Sequence, residues 1–420
     1  VLQVRSCRGT CGAGVNAQTS IPKDPGSQLT EETSSIASRF SLVIGGPFYR
    51  ALQRMRLVEC PGPNIRGRTL AVVLLIWAPL LLLSIAAGTA IGDKVRIPLL
   101  YDYSIYWRIF VGLPLLLVSE IVIDPWIRRV ASTFETSGIV REEDLPAYHA
   151  VLERIARLRD SSLVESFLAV LAFFPFFLYT GQEWVSSDVS TWHGSMYGGL
   201  SPAGWWFALL SSPVMRFLVL RWIWRYVLWT VFLSSVARLN LNLIPTYPDL
   251  LGGLGFLLIA QRHFGILFAA LGSVIAGQFA NSIAYSGASF AAAEVPMIVF
   301  IVLSVLVVLG PLTVFSPKLF ETQRRGLGEH GRAARRLTSE FDAKWVTHPH
   351  PRESMLGNPD PSSLIDYISS YQVIRQMKIM PISKTLVIQV ALQAAAPLAI
   401  VWFFATPLDQ IVKTLLKMLM

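Results

Sequence analysis

The chain has 420 residues, 53% of them hydrophobic and only 15% charged, where a soluble domain carries about 25% charged residues. With a mean hydropathy of +0.51 and three cysteines, a soluble enzyme, a disordered chain and a disulfide scaffold are all excluded as the main reading. The net charge of +9 fits a membrane protein whose basic residues gather in cytoplasmic loops, and nucleic acid is not expected as a partner.

Residues 1–40 read as a disordered tail. Positions 1–35 are polar and rich in Gly, Ser and Thr, without the apolar run of a signal peptide. Cys7, Cys11 and the distant Cys60 read as incidental, with no metal site expected. Ala37 to Leu57 has the pattern of a short amphipathic helix leading into the first span.

A helix crossing hydrocarbon needs about 20 mostly apolar residues. Seven stretches meet that length: about 69–92, 105–126, 163–183, 204–235, 264–285, 295–316 and 386–405. They are unbroken rather than alternating, which favours helices over a β-barrel. The expected fold is therefore an all-α integral membrane protein of about seven transmembrane helices with basic helical cytoplasmic segments. Six helices fall in a membrane domain over 41–317. The segment 318–385 is cytoplasmic, and 386–420 holds the seventh helix and an amphipathic tail from Leu408 to Met420.

Orientation follows from the Lys and Arg count between spans. Segments 1–68, 127–162, 238–249 and 318–385 hold 27 of the 36, and the alternate segments hold 4. This places the N-terminus in the cytoplasm. Trp184, Trp192, Trp205 and Trp206, with Tyr101, Tyr103 and Trp107, form the outer aromatic belt.

In the cytoplasmic loop 127–162, Leu145, Tyr148, Leu152, Ile155 and Leu158 recur at helical spacing and predict a helix from Glu142 to Asp160. In 318–385 a basic helix is expected from Lys318 to Trp345, then a proline-rich loop. A second helix is expected from Ser362 or Ser363, capped by Ser363 with Asp366, and ends before Pro381. The Arg324–Arg336 cluster on the first helix is a candidate surface for anionic lipid or a cytoplasmic protein.

Ionisable residues at membrane depth are the strongest functional signals. Glu120 and Asp124 are four apart in the second span, and Arg221 and Arg225 are four apart in the fourth. At ~1.5 Å per residue the two pairs reach overlapping depths in the cytoplasmic leaflet. They predict an ion-pair cluster, with Glu165 at its edge. Two readings stand: structural pairing or snorkelling, and an ion, proton or substrate path. The fifth span carries small-residue ladders, Ala269/Ser273/Gly277 and Gly272/Ala276/Ala280, that permit close helix approach. Its Gln278 and Asn281 should face protein or water, as interhelical bonds or pathway lining.

Between the fourth and fifth spans runs RLNLNLIPTYPDLLGGLGFL. Pro245 and Pro248 prevent a continuous helix, and Gly252, Gly253 and Gly255 permit tight backbone packing. With Asn240, Asn242 and Asp249, these residues predict an ordered turn near the inner surface and a candidate site, set beside a plain structural turn. This run, VLGPLTVFSPKLFETQRRGL with FDAKW downstream, and IRQMKIMPISKTL resemble a family of uncharacterised bacterial polytopic inner-membrane proteins over about residues 40–420. The family's usual Pro-Thr-His-Pro-Asp-Arg has Tyr247 and Leu250 in place of His and Arg here, which weakens metal binding or proton transfer at this turn. The resemblance implies architecture and no activity.

Gly326-x-Gly328-x-x-Gly331 matches a dinucleotide fingerprint by letter but follows an apolar helix, not a strand. His348 and His350 lack further ligands nearby. No catalytic residues, metal or cofactors are expected, and the chain is not read as an enzyme. The expected function is a transporter or channel, or else a non-transporting scaffold or regulatory protein whose basic helices bind a partner. Homo-oligomers are compatible with either.

Overall fold

A computed structural model describes residues 37–54, 65–178, 190–195, 199–347 and 354–405. The expectations for residues 1–36, Cys60, Trp184, His348, His350 and the tail from Leu408 lie outside the described residues.

Helices make up most of the described chain, and its strands are a short antiparallel pair, β1 (Gly194–Ser195) and β2 (Gly199–Leu200). Five helices are long and apolar enough to cross a membrane. They are α2 (Ile65–Ala86), α3 (Tyr103–Thr136), α6 (Pro202–Ala237), α7 (Gly255–Ser286), and the run Phe290–Thr347 that contains α8 (Phe290–Leu309) and α9 (Ser316–Asp342). Two of the seven expected spans differ. The third corresponds to α5 (Ser162–Leu178), whose described apolar stretch, Ser162–Phe174, is short. The seventh is broken at residues 396–398, next to Pro397, into α11 (Lys384–Ala395) and α12 (Ala399–Ala405). Proline removes a helix hydrogen bond and crowds the preceding turn.

The connections gather at two ends. At the basic end, α1 (Pro47–Arg54) packs on α5 and α4 (Leu145–Arg159) on α6, while the α9–α10 hairpin meets the α6–α7 turn, where α10 is Pro359–Gln376. Val140 bridges Leu241, and Lys378 donates its N–H to the Leu250 carbonyl at 2.8 Å. At the far end, Ile97 bridges Thr191, and Arg96 donates to the Tyr285 carbonyl at 3.1 Å.

α7 is the central helix, and its small residues explain why. A Cβ on Gly277 would sit 2.9 Å from Ser104 Cα and Trp107 Cβ, so α3 can approach only because the side chain is absent. Gly272, on the other ladder, meets the Ala394 carbonyl, Pro397 and Phe300. The two ladders thus serve different neighbours. Gln261, fully buried in the first turns of α7, ties three helices together. It accepts from Trp229 Nε1 at 2.9 Å and donates to the Val308 carbonyl at 2.5 Å.

Several boundaries shift for identifiable reasons. The first span starts at Ile65, because Arg68 is buried in an ion pair rather than excluded from the helix. α3 runs on to Thr136, so the expected loop from 127 is shorter. The tail expected through residue 40 ends earlier: Ala37 and Phe40 are core residues, and Phe40 stacks on Phe232 at 5.3 Å. The amphipathic helix expected over Ala37–Leu57 is interrupted by a non-helical, bent stretch at Ser41–Gly46, where Gly45 and Gly46 take φ of +136° and +86°. The helix α4 falls as expected, with Tyr148, Leu152 and Ile155 buried. α10 starts at Pro359 rather than Ser362 or Ser363. Its cap is Asn358, whose side chain accepts from Asp360 N, while Ser363 Oγ donates back to the Pro359 carbonyl.

Candidate functional site

The expected charged cluster forms, with a different membership. Glu120 on α3 accepts from three guanidinium groups. Arg225 Nη1 lies 2.9 Å from Oε1 and Arg221 Nη1 3.5 Å from it; Arg68 of α2 pairs with Oε2. Arg221 also pairs with Glu165 of α5 at 3.4 Å. Glu120 and its three arginines are all buried. Burying ions costs several kcal/mol each unless they are paired and hydrogen-bonded, and here Glu120 has three partners, Arg221 pairs with two carboxylates, Arg225 pairs with Glu120 and the Val43 carbonyl, and Arg68 pairs with Glu120. Arg221 lies 4.7 Å above the Phe48 ring and Arg225 4.8 Å above Trp222.

Asp124 does not join the two arginines of α6. One of its oxygens accepts from Arg128, one turn on, at 2.7 Å. The other accepts from Ser41 Oγ at 2.5 Å and Val43 N at 3.3 Å. The non-helical N-terminal stretch is therefore part of the cluster. Its Val43 carbonyl accepts from Arg225 and its Ser41 carbonyl from Arg159, while Phe48 N donates to Glu165 at 2.7 Å. The space left beside Arg221 and Arg225 is about 10 Å³, at the lower bound for one water. Arg68 and the 41–48 stretch were missed from sequence. Arg68 was counted as a flanking loop charge, and the stretch has no pattern beyond Gly45-Gly46.

The turn before α7 is organised by Asp249. Its Oδ1 accepts from the N–H groups of Leu251 (2.8 Å) and Gly253 (3.1 Å), and its Oδ2 from Gly255 (2.8 Å). Gly252 and Gly253 have φ of +64° and +100°, and Leu250 is also left-handed at +59°. A Cβ on Gly255 would sit 3.0 Å from the carboxylate. Asn240 and Asn242 are exposed, and Asn242 N donates to the Ile139 carbonyl at 2.7 Å. Pro245 packs on Gly326 of α9 so closely that a Cβ there would be 2.7 Å away. Gly326 thus serves helix packing inside α9, not phosphate binding. The Asp249 oxygens are occupied by the loop's own backbone, so this arrangement is a rigid turn that seats the hairpin.

Gln278 and Asn281 part company. Gln278 is exposed and faces away from the protein. Asn281 sits at the far end, donating to Asp102 Oδ1 at 2.7 Å and accepting from Tyr103 N at 2.9 Å. Asp102 also caps α3 through Ser104 N and Ile105 N and accepts from Trp192 Nε1 at 2.8 Å. Burial alone would raise its carboxyl; the neighbouring His193 and hydrogen bonds from Trp192, Ser104 and Asn281 outweigh that and hold it low. Burial also pushes the His193 imidazole down, Arg108 adds to the effect, and Asp102 opposes it.

The far half holds a feature not foreseen in the sequence. α3 and α6 are built alike: a polar N-cap (Asp102, Ser201), one turn of α-helix, a π segment, and then a proline. The π segments are Trp107–Gly112 and Phe207–Ser211, just before Pro114 and Pro213. Beside them, between α3, α5, α6, α7 and α8, lies a cleft of about 670 Å³ lined by Arg108, Arg216 and mostly apolar side chains. π segments recur at functional sites. Two arginines in apolar runs, Arg108 next to Trp107 and Arg216 three residues past Pro213, were the available signal.

Among the described residues no group of three or more His, Cys, Asp or Glu could hold a metal ion. No family model, curated protein or solved structure matches the chain.

Proposed function

We propose that this is a multi-pass bacterial inner-membrane scaffold, with its N-terminus and basic end cytoplasmic, that presents the α9–α10 hairpin to an acidic segment of a cytoplasmic protein. α5 and the α11–α12 pair complete seven crossings in this reading. The family resemblance and the concentration of Lys and Arg at one end support the location. The observation that carries the function is the hairpin itself. α9 continues from α8 through the 3-10 helical segment Gly310–Phe315 and pairs with α10. Arg324, Arg325, Arg332, Arg335 and Arg336 are exposed on it.

Distance favours a protein over lipid. Arg332 to Arg336 lie roughly 24–30 Å along α9 from Ser316 at 1.5 Å per residue. That is about three Debye lengths at physiological salt (~8 Å). A bilayer surface at the start of the hairpin exerts little pull there.

A path through the charged cluster is the reading this displaces. The cluster is closed, every acidic member is paired, and the 41–48 stretch covers it. Reconstituted protein under imposed ion and pH gradients is expected to pass no protein-dependent current. A current altered by Arg221→Gln would restore the transport reading. A photo-crosslinker replacing Arg335 in cells is expected to trap an acidic cytoplasmic protein, and to lose it when Arg332 and Arg336 become Gln. No adduct, or adducts indifferent to those arginines, would overturn the scaffold reading.

A further inference from the structure

Where α3 and α7 pass each other near the basic end, one indole gathers two arginines and a histidine. His263 of α7 stacks on Trp126 of α3, with ring centroids 4.6 Å apart and planes 18° from parallel. Arg129 lies 5.0 Å from the same ring and Arg262 6.0 Å, within the range of a cation–π contact. The imidazole is itself held, with Nδ1 bonded to the Ile259 carbonyl at 2.8 Å.

The backbone is shaped for this meeting. α7 tightens to a 3-10 turn at Arg262–Phe264, and that turn packs on α3. A short 3-10 piece inside a longer helix often marks a functional position. Gln261, just before it, is anchored to Trp229 and the Val308 carbonyl.

The two guanidinium groups have no carboxylate. Among the described residues neither Arg129 nor Arg262 forms an ion pair or donates a side-chain hydrogen bond. The nearest acids along α3 are engaged elsewhere, Asp124 by Arg128 and Ser41 and Glu135 by His149. This part of the surface therefore holds two cations close to one ring with no anion of its own.

Two helices give the depth independently. α3 has 34 residues and α7 has 32, or roughly 51 and 48 Å at 1.5 Å per residue, against about 30 Å of hydrocarbon. Roughly 9–10 Å of each helix then lies beyond the hydrocarbon at either end. Arg129 is seven residues from the end of α3 and Arg262 seven from the start of α7, roughly 10 Å in each case. Both arginines stand at the boundary between hydrocarbon and headgroups, the level that Trp favours. One turn deeper, Val122 and Ile266 are apolar and half-buried.

We propose that Arg129 and Arg262 bind the phosphate of one anionic phospholipid in the leaflet at the basic end, with Trp126 and His263 holding the pair in place and the acyl chains running past Val122 and Ile266. Guanidinium groups match phosphate oxygens with paired N–H donors. A choline headgroup brings its own cation, and the indole that would receive it is already covered by His263 and Arg129. The site therefore prefers an anionic lipid. The proposal is independent of the hairpin and its partner.

The test is native mass spectrometry of the full chain in detergent, after delipidation and titration with phosphatidylglycerol, phosphatidylcholine or inorganic phosphate. The first phosphatidylglycerol should be retained about tenfold more tightly (about 1.4 kcal/mol) than phosphatidylcholine. Inorganic phosphate at the same concentration lacks the chains and should not displace it. Arg129→Gln with Arg262→Gln should abolish the preference. Trp126→Leu, which keeps both charges and removes their platform, should weaken retention about threefold. Arg332→Gln with Arg335→Gln should leave it unchanged. Equal retention of the two lipids, displacement by phosphate, or a preference that survives in the double Arg129/Arg262 variant would overturn the proposal. So would full retention in Trp126→Leu, or loss of the preference in the hairpin variant. If the double variant fails to fold, amide exchange of the wild-type chain in nanodiscs decides: slower exchange over residues 259–266 in phosphatidylglycerol than in phosphatidylcholine supports the site, and equal exchange overturns it.

Discussion

Arg216 and Arg221 are five residues apart on one helix, yet they live in opposite circumstances. Arg221 is bracketed by two carboxylates and a phenyl ring, in a space with about 10 Å³ to spare. Arg216 borders a cleft of about 670 Å³ whose walls are mostly apolar. The same side chain is buried between carboxylates in one place and, only partly buried, borders a cleft in the other. A membrane protein that pairs its charges internally has used them for architecture.

The sharpest way to break this comparison is at Glu120. Glu120→Gln leaves Arg68, Arg221 and Arg225 without their shared carboxylate, and a loss of about 3–5 kcal/mol is expected, read as a collapse of thermal stability in detergent. Adding Arg68→Gln to Glu120→Gln should recover part of that loss, because one uncompensated charge is removed with it. Arg216→Gln, by contrast, breaks none of the Glu120 pairs and should cost clearly less. If Arg216→Gln is as damaging as Glu120→Gln, the two regions are not different in kind.

The hairpin seat comes next in size. Gly326→Leu must push Pro245 aside, since even a Cβ there would be 2.7 Å away. Overpacking of this sort costs about 1–3 kcal/mol. The expected readout is faster amide exchange across α9 and α10, with the charged cluster unaffected. Asp249→Ala, which strands three backbone N–H groups, should loosen the same seat by a similar amount, about 1–3 kcal/mol. Ser41→Ala removes one hydrogen bond to Asp124 and should cost about 1 kcal/mol, read as exposure of residues 37–48 to protease.

How much of this could be read from residues alone depends on the range of the interaction. The long spans were legible because hydrophobicity over 20 residues is a local sum. Glu120, Arg221 and Arg225 were legible as partners because helix rise converts sequence position into depth. Asp124 has the same depth but faces Arg128 and Ser41, and rotation about the helix axis decides that. Arg68 and the 41–48 stretch were missed because their role is set by tertiary contact: an arginine at the foot of a span looks like any flanking charge. The turn at Asp249 was legible as a turn, and two of its three glycines, Gly252 and Gly253, take positive φ. Its carboxylate looked available in sequence and is fully occupied in the fold. The broken seventh span was visible as Pro397, though apolarity alone hid the break.

The smallest effect expected is a pH dependence confined to the far end. His193 stacks on Trp192, whose indole N–H donates to Asp102, the cap of α3. Burial disfavours the imidazolium, so the folded state holds His193 below its ordinary value, near 6.5. The sign follows from proton counting. Below that value the unfolded chain takes up a proton that the folded chain refuses, so stability is present at neutral pH and is lost as pH falls through 6.5. Asp102 is also held low, but its loss begins only below the ordinary carboxylate value, about 3.9, so it does not contribute between pH 5 and 7. Amide exchange around residues 97–105 and 190–195 should quicken on moving from pH 7.5 to 5, after correction for intrinsic rates. The Glu120 cluster, which holds no histidine, should not respond. His193→Gln should flatten the far-end response. If the cluster loosens over the same interval and the far end does not, protonation acts on the paired charges, and the architectural role assigned to them is wrong.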